Sequence, residues 1–514
     1  MNRQTVLAAL VVAFLQTVLH SELPPLENRV IEHSCPNGIK LLILERHFSP
    51  TVSIRMMFRT GAVDEASGKT GLAHMFEHMM FKGTHTLGTK DYAAEVPLLK
   101  LLDELHRQLD VEKSKKDNAD QARIGQLIDQ INVVDKKESA LIIENELWNL
   151  YEKEGATELN AATSHDFTQY VTDLPSNKLE LWAILDSDRV RNPVFRQFYS
   201  EREVVKEERR MRVDTNPEGK IYEQFLATAF IQHPYRYPTI GWETDIDHLT
   251  VGDLENFYQR YYTPDQLTIV VVGDVKASNV MAMVDRYFGT WTVKAPSRPV
   301  ILDDPPQSGT RRVVVKFDAQ PYVLIGFHIP TYPDPEKPVN YALAQLLGNG
   351  TTSRLYKTLV EKKKLATSIE TSDDYPGERY PSLLIIGASP RFPHTPEEVL
   401  QAIQKELDRL KKEPLADWEV PKIRAALDMG ILTTLQTNDG MAETLAYDQC
   451  IFGDWRYLLR FEKRIQQLTA QDIQNAAKKI FNPENETIAV LESSKPRGTP
   501  NANPNGYRRP RDGD

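Results

Sequence analysis

The chain carries one pattern of strands followed by a helix twice, and this repetition limits the folds open to it. In the first half, strand patterns within residues 30–58 precede a helix that starts near Gly71. In the second half, strand patterns at 312–317 and 323–328 precede a helix at 341–347. Because strands precede a helix in both halves, we expect two related α+β domains. The 514 residues suffice for both, since a domain usually takes about 150 residues.

Composition marks where these domains begin and end. A basic start and an apolar run over residues 6–19 are typical of a signal peptide, although an uncleaved membrane anchor has the same features. Four prolines follow Lys294 closely and predict a linker. A Pro-, Asn-, Gly- and Arg-rich end predicts disorder. The predicted division is a signal peptide at 1–21, an N-terminal domain at 22–293, a linker at 294–311, a C-terminal domain at 312–493 and a disordered tail at 494–514.

Residues 98–151 form a highly charged segment with apolar residues at helical spacing. This pattern predicts a helical hairpin inserted into the N-terminal domain. One interpretation is a solvated hairpin, and another is a docking arm for a partner or a gate over a substrate entrance. The two apolar stripes are Leu98, Leu102, Leu105 and Leu109 in the first helix, and Ile124, Ile128, Ile131 and Val134 in the second.

Composition also excludes some classes of function. A net charge of -10 argues against binding nucleic acid through a general basic surface. Two cysteines, Cys35 and Cys450, are too few for a disulfide scaffold or a cysteine-built metal centre, and the sequence does not show whether they pair. Any metal is therefore expected on His and carboxylate side chains. Isolated histidines are interpreted as core residues: His33, His106, His233 and His328.

The chemistry of the chain is concentrated at one short motif, His74-Met75-Phe76-Glu77-His78. On a helix, His74 and His78 lie four residues apart and project from one face, where both imidazoles can bind one cation. Zinc suits such a set because it accepts imidazole and carboxylate ligands and lowers the pKa of a bound water to about 7. Glu77 is placed to take the proton of that water as a general base.

This motif, followed by Phe81-Lys82-Gly83-Thr84, resembles the inverted zinc-binding motif of the pitrilysin-type (M16) metallopeptidases. The resemblance continues at 160–163, Asp166, Thr168 and Tyr170 and covers about residues 26 to 490 outside the charged segment. It implies two related α/β-sandwich domains that form one half of a clamshell. Two such half-molecules would close over a chamber.

The resemblance implies a third zinc ligand on a later helix, with a second Glu seven residues before it. Ser200–Glu208 is similar to that segment, so Glu208 is the expected ligand and Glu201 its outer support. Glu207 competes with Glu208 but would face away from Glu201. Glu208 lies farther from the zinc motif than is usual in the family, and the excess matches the charged segment, which predicts that this insertion lies outside the active site.

The resemblance places Asn160 and Ala161 on a strand beside the zinc. An extended peptide could add to that edge through backbone hydrogen bonds, with Asn160 holding it near the metal. Ordinary capping at a strand end by Asn is an equally good interpretation of Asn160 from local chemistry.

Active relatives complete the site with an Arg and a Tyr seven residues apart in the second half-molecule, which helps to stabilise the oxyanion. The matching positions here are Val360 and Thr367, and neither can do this. The resemblance therefore implies a heterodimer with a homologous subunit that supplies the Arg/Tyr pair. A homodimer is also possible but would lack the pair.

The resulting prediction is an exported zinc endopeptidase subunit, periplasmic or secreted, without a stable membrane span after signal cleavage. It would hold one Zn²⁺ per chain and hydrolyse peptides or unfolded segments in a closed chamber. The alternative is a non-catalytic or weakly active binding or assembly subunit of the same family. A zinc amidase of another kind is a third possibility.

Overall fold

The computed structural model describes residues 26–293 and 296–494, so the predicted signal peptide and residues 495–514 of the predicted tail lie outside the described residues. Within them, two mixed sheets each form the centre of one α+β domain, which confirms the predicted fold class. The strands are β1 (Ile31–Ser34), β2 (Lys40–Glu45), β3 (Thr51–Phe58), β4 (Glu158–Thr163), β5 (Thr168–Pro175), β6 (Leu267–Gly273), β7 (Arg311–Phe317), β8 (Tyr322–Ile329), β9 (Ala366–Tyr375), β10 (Ser382–Pro390) and β11 (Glu486–Ser493).

The first sheet has the order β1-β2-β6-β3-β5-β4, and the second has the order β7-β11-β8-β10-β9. Each contains one parallel pair, β2 with β6 and β7 with β11, and its other pairs are antiparallel. The helices are α1 (Leu72–Met79), α2 (Tyr92–Ser114), α3 (Gln121–Ser139), α4 (Glu146–Lys153), α5 (Leu179–Arg191), α6 (Phe198–Arg209), α7 (Pro217–Ala229), α8 (Glu243–Ile246), α9 (Val251–Tyr261), α10 (Ala277–Tyr287), α11 (Lys337–Gly348), α12 (Pro396–Lys412), α13 (Glu419–Thr434), α14 (Asn438–Tyr447), α15 (Tyr457–Gln467) and α16 (Ala470–Ile480).

One helix of each domain packs against the sheet of the other domain. α14 of the C-terminal half packs Met441 and Leu445 on one face of the first sheet. In return, α7 of the N-terminal half packs Ile221 and Phe225 against the second sheet. Strand β6 is consequently buried along its whole length, because its two faces contact different cores. That is why its sequence is continuously apolar rather than alternating.

Buried polar contacts also join the two halves. Arg379 pairs with Asp64 at 2.8 Å, and both side chains are at most 5% exposed. The Asp166 carboxylate accepts hydrogen bonds from the backbone N–H groups of Glu378 and Arg379 at 2.6 and 3.0 Å. In the described part of the linker, Arg298 donates to the carbonyl of Tyr261 at 2.9 Å. The two domains therefore form one body.

The charged segment is a hairpin of α2 and α3, with bounds that differ from the predicted 98–151. It starts earlier, at Tyr92, and a separate helix, α4, follows after Ser139. Its core includes Leu127, whereas Ile128, which the stripe predicted to be buried, is 41% exposed. Leu127 and Ile128 are neighbours on α3, and α2 packs against Leu127. The remaining residues of its core are Leu102, Leu105, Leu109, Ile131 and Val134.

The structure also bears on the two cysteines and on membrane spans. Cys35 and Cys450 are free, buried thiols in different cores. Within the part of the chain that the structure describes, no helix is both long and apolar enough to cross a membrane.

Candidate metal centre

Helix α1, which carries the His-x-x-Glu-His motif, begins at a sharply defined point. Gly71 at its N-cap has φ of 90°, and a Cβ there would lie 2.7 Å from the carbonyl oxygen of Ile240, so only glycine fits. The buried Glu65 carboxylate accepts hydrogen bonds from the N–H groups of Gly71 and Ala73 at 2.8 and 2.7 Å. This satisfies helix donors that would otherwise be unpaired in the core.

Three predicted ligands converge between α1 and α6. His74 Nε2 and His78 Nε2 lie 3.7 and 3.4 Å from the same oxygen of Glu208, Oε2. One donor atom from each residue lies within 4.8 Å of the others. Two imidazole nitrogens and a carboxylate oxygen are a donor set that suits Zn²⁺ and leaves a position for water. The residues present therefore fit a zinc ion.

Glu201 supports this centre through His78, not through Glu208 as the sequence predicted. His78 Nδ1 donates to Glu201 Oε1 at 2.8 Å, and Lys82 Nζ lies 2.6 Å from the other oxygen. Burial opposes the charge on Glu201, but the bonds from His78 and Lys82 outweigh it and lower its pKa to about 2. The Nδ1 bond leaves Nε2 of His78 directed toward Glu208, the orientation that a carboxylate gives to a metal-binding histidine.

The two histidines differ in their tendency to be charged. Burial, with the neighbouring His78, lowers the pKa of His74 to about 4, so its ring is neutral at pH 7. Burial acts in the same direction on His78, but hydrogen bonds to Glu201 and Glu208 outweigh it and raise the pKa to about 9. The carboxylates of Glu201 and Glu208 thus favour the protonated form of His78.

Glu77 lies beside these donors and is held by the neighbouring strand. Its Oε2 accepts a hydrogen bond from the hydroxyl of Thr163 in β4 at 2.5 Å. Burial raises the pKa of Glu77, although the Thr163 hydrogen bond opposes this. A carboxylate with a raised pKa in a partly buried position suits a general base.

Among the residues that the structure describes, strand β4 is an edge of the first sheet and pairs with β5 alone. Asn160 lies within this strand rather than at its end, so it is not a strand-end cap. Its side chain accepts a hydrogen bond from the N–H of Ala161 at 2.9 Å. The free edge beside the candidate metal centre is available for an added strand.

Glu207, the competing candidate for the third ligand, points away from the centre. It pairs with Arg210 at 2.9 Å on the surface.

The sequence pattern assigns no role to Lys82, Thr163 or Arg212. Arg212 lies four residues after Glu208 and binds its Oε1 at 2.8 Å. That spacing, which places two side chains on one helical face, was a usable signal for this pair.

Val360 and Thr367 occupy the positions expected for the Arg/Tyr pair, and their places in the structure do not suit that role. Val360 is buried in the C-terminal core. Thr367 lies on β9, where its hydroxyl donates to the carbonyl of Ser389 at 3.3 Å. Neither side chain can bind a substrate carbonyl.

The inserted hairpin contacts α6 through residues other than the metal ligands. Tyr199 donates to Asp103 at 2.7 Å, and Arg202 pairs with Asp110 at 3.0 Å. The hairpin therefore lies outside the metal centre but packs on the helix that supplies Glu201 and Glu208.

Two family models match the chain. The model described as "Insulinase (Peptidase family M16)" matches residues 40–99 and 132–242. The model described as "Peptidase M16 inactive domain" matches residues 248–427, which exclude the zinc motif. The first model leaves out 100–131, the outer part of the hairpin.

Similar proteins cover nearly the whole chain. The zinc protease PqqE of Helicobacter pylori is 25% identical over 89% of this chain and 91% of its own length. An uncharacterized zinc protease of Mycobacterium leprae is 24% identical over 88% of this chain and 89% of its own.

Solved structures share the fold. A protease from Helicobacter pylori has a TM-score of 0.75 at 24% identity and covers 90% of this chain and 99% of its own. The periplasmic protease PqqL from Escherichia coli has a TM-score of 0.68 at 17% identity, with 91% of this chain matching 48% of that one. The fold of this chain thus matches about half the length of that structure. Both family models and the fold agree, and the chain belongs to the M16 family of pitrilysin-type peptidases.

Proposed function

We propose that this chain is the zinc-binding subunit of an endopeptidase, with Glu77 as the general base. The observation that carries the proposal is the convergence of His74, His78 and Glu208 within 4.8 Å beside the Glu77 carboxylate. The relatives named as zinc proteases support zinc as the ion, and we assign one Zn²⁺ to this centre.

The metal ligands and Glu77 have different roles in the proposed reaction. His74, His78 and Glu208 would hold Zn²⁺, which when bound supplies a Lewis acid and lowers the pKa of water. Glu77 is anchored through Oε2 by Thr163, so its other oxygen can take the proton of the attacking water and deliver it to the leaving amine.

Substrate binding is assigned to the free edge of β4. A peptide that adds there as an extended strand would be held by main-chain hydrogen bonds, and we assign Asn160 and Ala161 to this binding. Such recognition tolerates many sequences, which suits peptides or unfolded segments enclosed in a chamber between two half-molecules.

The proposal includes a homologous partner, because Val360 and Thr367 replace the Arg/Tyr pair. The match of this chain to half of PqqL supports a two-half assembly. A homodimer would hold two metal centres and no Arg/Tyr pair. The signal-like residues 1–21 and the periplasmic location of PqqL, which shares the fold, support export to the periplasm or the medium.

A second candidate function is a weakly active or non-catalytic binding subunit, favoured by the same missing pair. The retained Glu77 speaks against it, since binding alone does not need a general base. No basic surface for nucleic acid is proposed, given the net charge of -10.

Mixing this chain with a homologous subunit distinguishes an endopeptidase subunit from a binding subunit. The zinc-loaded chain would be assayed on internally quenched peptides, alone and with a homologous subunit that lacks the zinc motif and carries Arg-x6-Tyr. We expect weak hydrolysis alone and at least a 100-fold gain on mixing, about 2.7 kcal/mol of transition-state stabilisation. A mixed complex that forms but stays inactive would support the binding subunit.

A further inference from the structure

A second group of metal-ligating side chains lies at the opposite edge of the first sheet. His33 Nε2 is 2.9 and 3.0 Å from the two carboxylate oxygens of Asp285. The Cys35 sulfur completes the group, and one donor atom from each of the three residues lies within 4.8 Å of the others. The sequence pattern predicts that His33 is a core residue, but its side chain is 26% exposed because β1 is an edge strand.

Backbone contacts fix these three donors relative to one another. His33 and Cys35 are two residues apart along the β1 segment, so their side chains share the face that meets α10, which carries Asp285. Cys35 opens a tight turn, with its N–H bound to the carbonyl of Ile39 at 3.0 Å. Within the turn, Asn37 donates to the carbonyls of Phe288 and Trp291 at 2.9 and 3.0 Å, which ties the turn to the end of α10.

The group contains a thiol as well as an imidazole and a carboxylate, and an ion pair needs only the last two. His33 and Asp285 alone would form an ordinary surface pair, but a thiol that is only 4% exposed lies beside them. Imidazole nitrogen, thiolate sulfur and carboxylate oxygen are the three ligand types that Zn²⁺ accepts. Asp285 is 41% exposed, so an ion and a water ligand can reach the group from solvent.

We propose that His33, Cys35 and Asp285 form a second zinc site, with a water in the fourth position. It is separate from the candidate centre at α1, because β1 and β4 are the two edges of a six-stranded sheet and five strand spacings amount to about 24 Å. The ion would join β1 to α10 and so fasten the edge of the domain. The proposal does not depend on the peptidase function.

The absorbance of bound cobalt distinguishes this site from the α1 centre. The full chain, stripped of metal and kept reduced without air, would be titrated with Co²⁺ and followed by absorbance. Cobalt bound to a thiolate gives a sulfur-to-metal charge-transfer band in the near ultraviolet, which the His74, His78 and Glu208 set cannot give. Among the described residues, Cys450 belongs to no group of potential metal ligands, so the band would report Cys35.

We expect two Co²⁺ ions and the charge-transfer band in the wild-type chain. Cys35→Ser should lose the band and one ion, whereas Cys450→Ser should keep both. His74→Ala/His78→Ala should lose one ion and retain the band. A wild-type chain that binds cobalt without the band would overturn the proposal, and that result needs no variant to fold. Loss of the band in Cys450→Ser but not in Cys35→Ser would also overturn it.

Discussion

The hydroxyl of Thr163 lies 2.5 Å from the carboxylate of Glu77 and donates to it, which connects edge strand β4 to helix α1. This one bond joins the strand proposed to bind substrate to the residue proposed to move the proton. It also stabilises the charged form of Glu77 against the burial that raises its pKa.

Replacing Thr163 by Val should therefore change the pH dependence of hydrolysis. Without the donor, the charged form of Glu77 is less stable and its pKa rises further. The base must be deprotonated to act, so the acid limb of kcat/KM should move to higher pH, by about one unit if the bond is worth about 1.4 kcal/mol. The measurement is a pH–rate profile of the zinc-loaded complex. Thr163→Ser keeps the hydroxyl and should keep the wild-type profile; an unchanged profile in Thr163→Val would remove Thr163 from this role.

Glu201→Gln should weaken zinc binding without abolishing it. The carboxylate orients His78 and raises its basicity, and loss of such a partner typically costs about 10–100-fold in metal affinity. Competition with a chromophoric chelator measures the change. Glu203→Gln serves as the control, because Glu203 lies on the same helix but pairs with Lys206 at the surface. Equal affinity in the two variants would contradict the assigned role.

Glu208→Ala tests the third ligand. The variant loses the oxygen that faces both histidines, so zinc content after dialysis should fall well below one ion at the α1 centre. Glu207→Ala is the matched control, since its side chain is 64% exposed and pairs with Arg210. Zinc content would be counted in a Cys35→Ser background, so that only this centre contributes. Retained zinc in Glu208→Ala would exclude it as a ligand.

Arg379→Ala should destabilise the whole chain. It breaks a buried ion pair and leaves Asp64 between the domains with only the more distant Arg298, at 3.9 Å, as a cationic partner. Such a change costs about 3–5 kcal/mol, which urea unfolding can measure. Arg391→Ala, at an exposed position, should stay within about 0.5 kcal/mol of wild type. Similar stability of the two variants would show that the domains do not depend on this contact.

Local pattern was sufficient to predict much of the fold and of the centre. The apolar run of β6 and the four-residue step from His74 to His78 are short-range signals, and each led to the element that the structure contains. The family resemblance added Glu208, which lies far along the chain from that step.

Long-range contacts could not be predicted in this way. No local signal shows that α14 covers the first sheet or that Glu201 bonds to His78 rather than Glu208, because both depend on how separate elements pack. Likewise, Cys35 and Asp285 are 250 residues apart in sequence, and they come together through tertiary contacts such as the one that Asn37 makes with the carbonyl of Phe288.

The most direct test is the rate of quenched-peptide hydrolysis by the zinc-loaded complex with Glu77→Gln in place of wild type, at equal zinc content. The carboxamide cannot accept the proton, so we expect the rate to fall by at least about 100-fold. A rate near that of wild type would contradict the assignment of Glu77 as the base and, with it, the proposed mechanism.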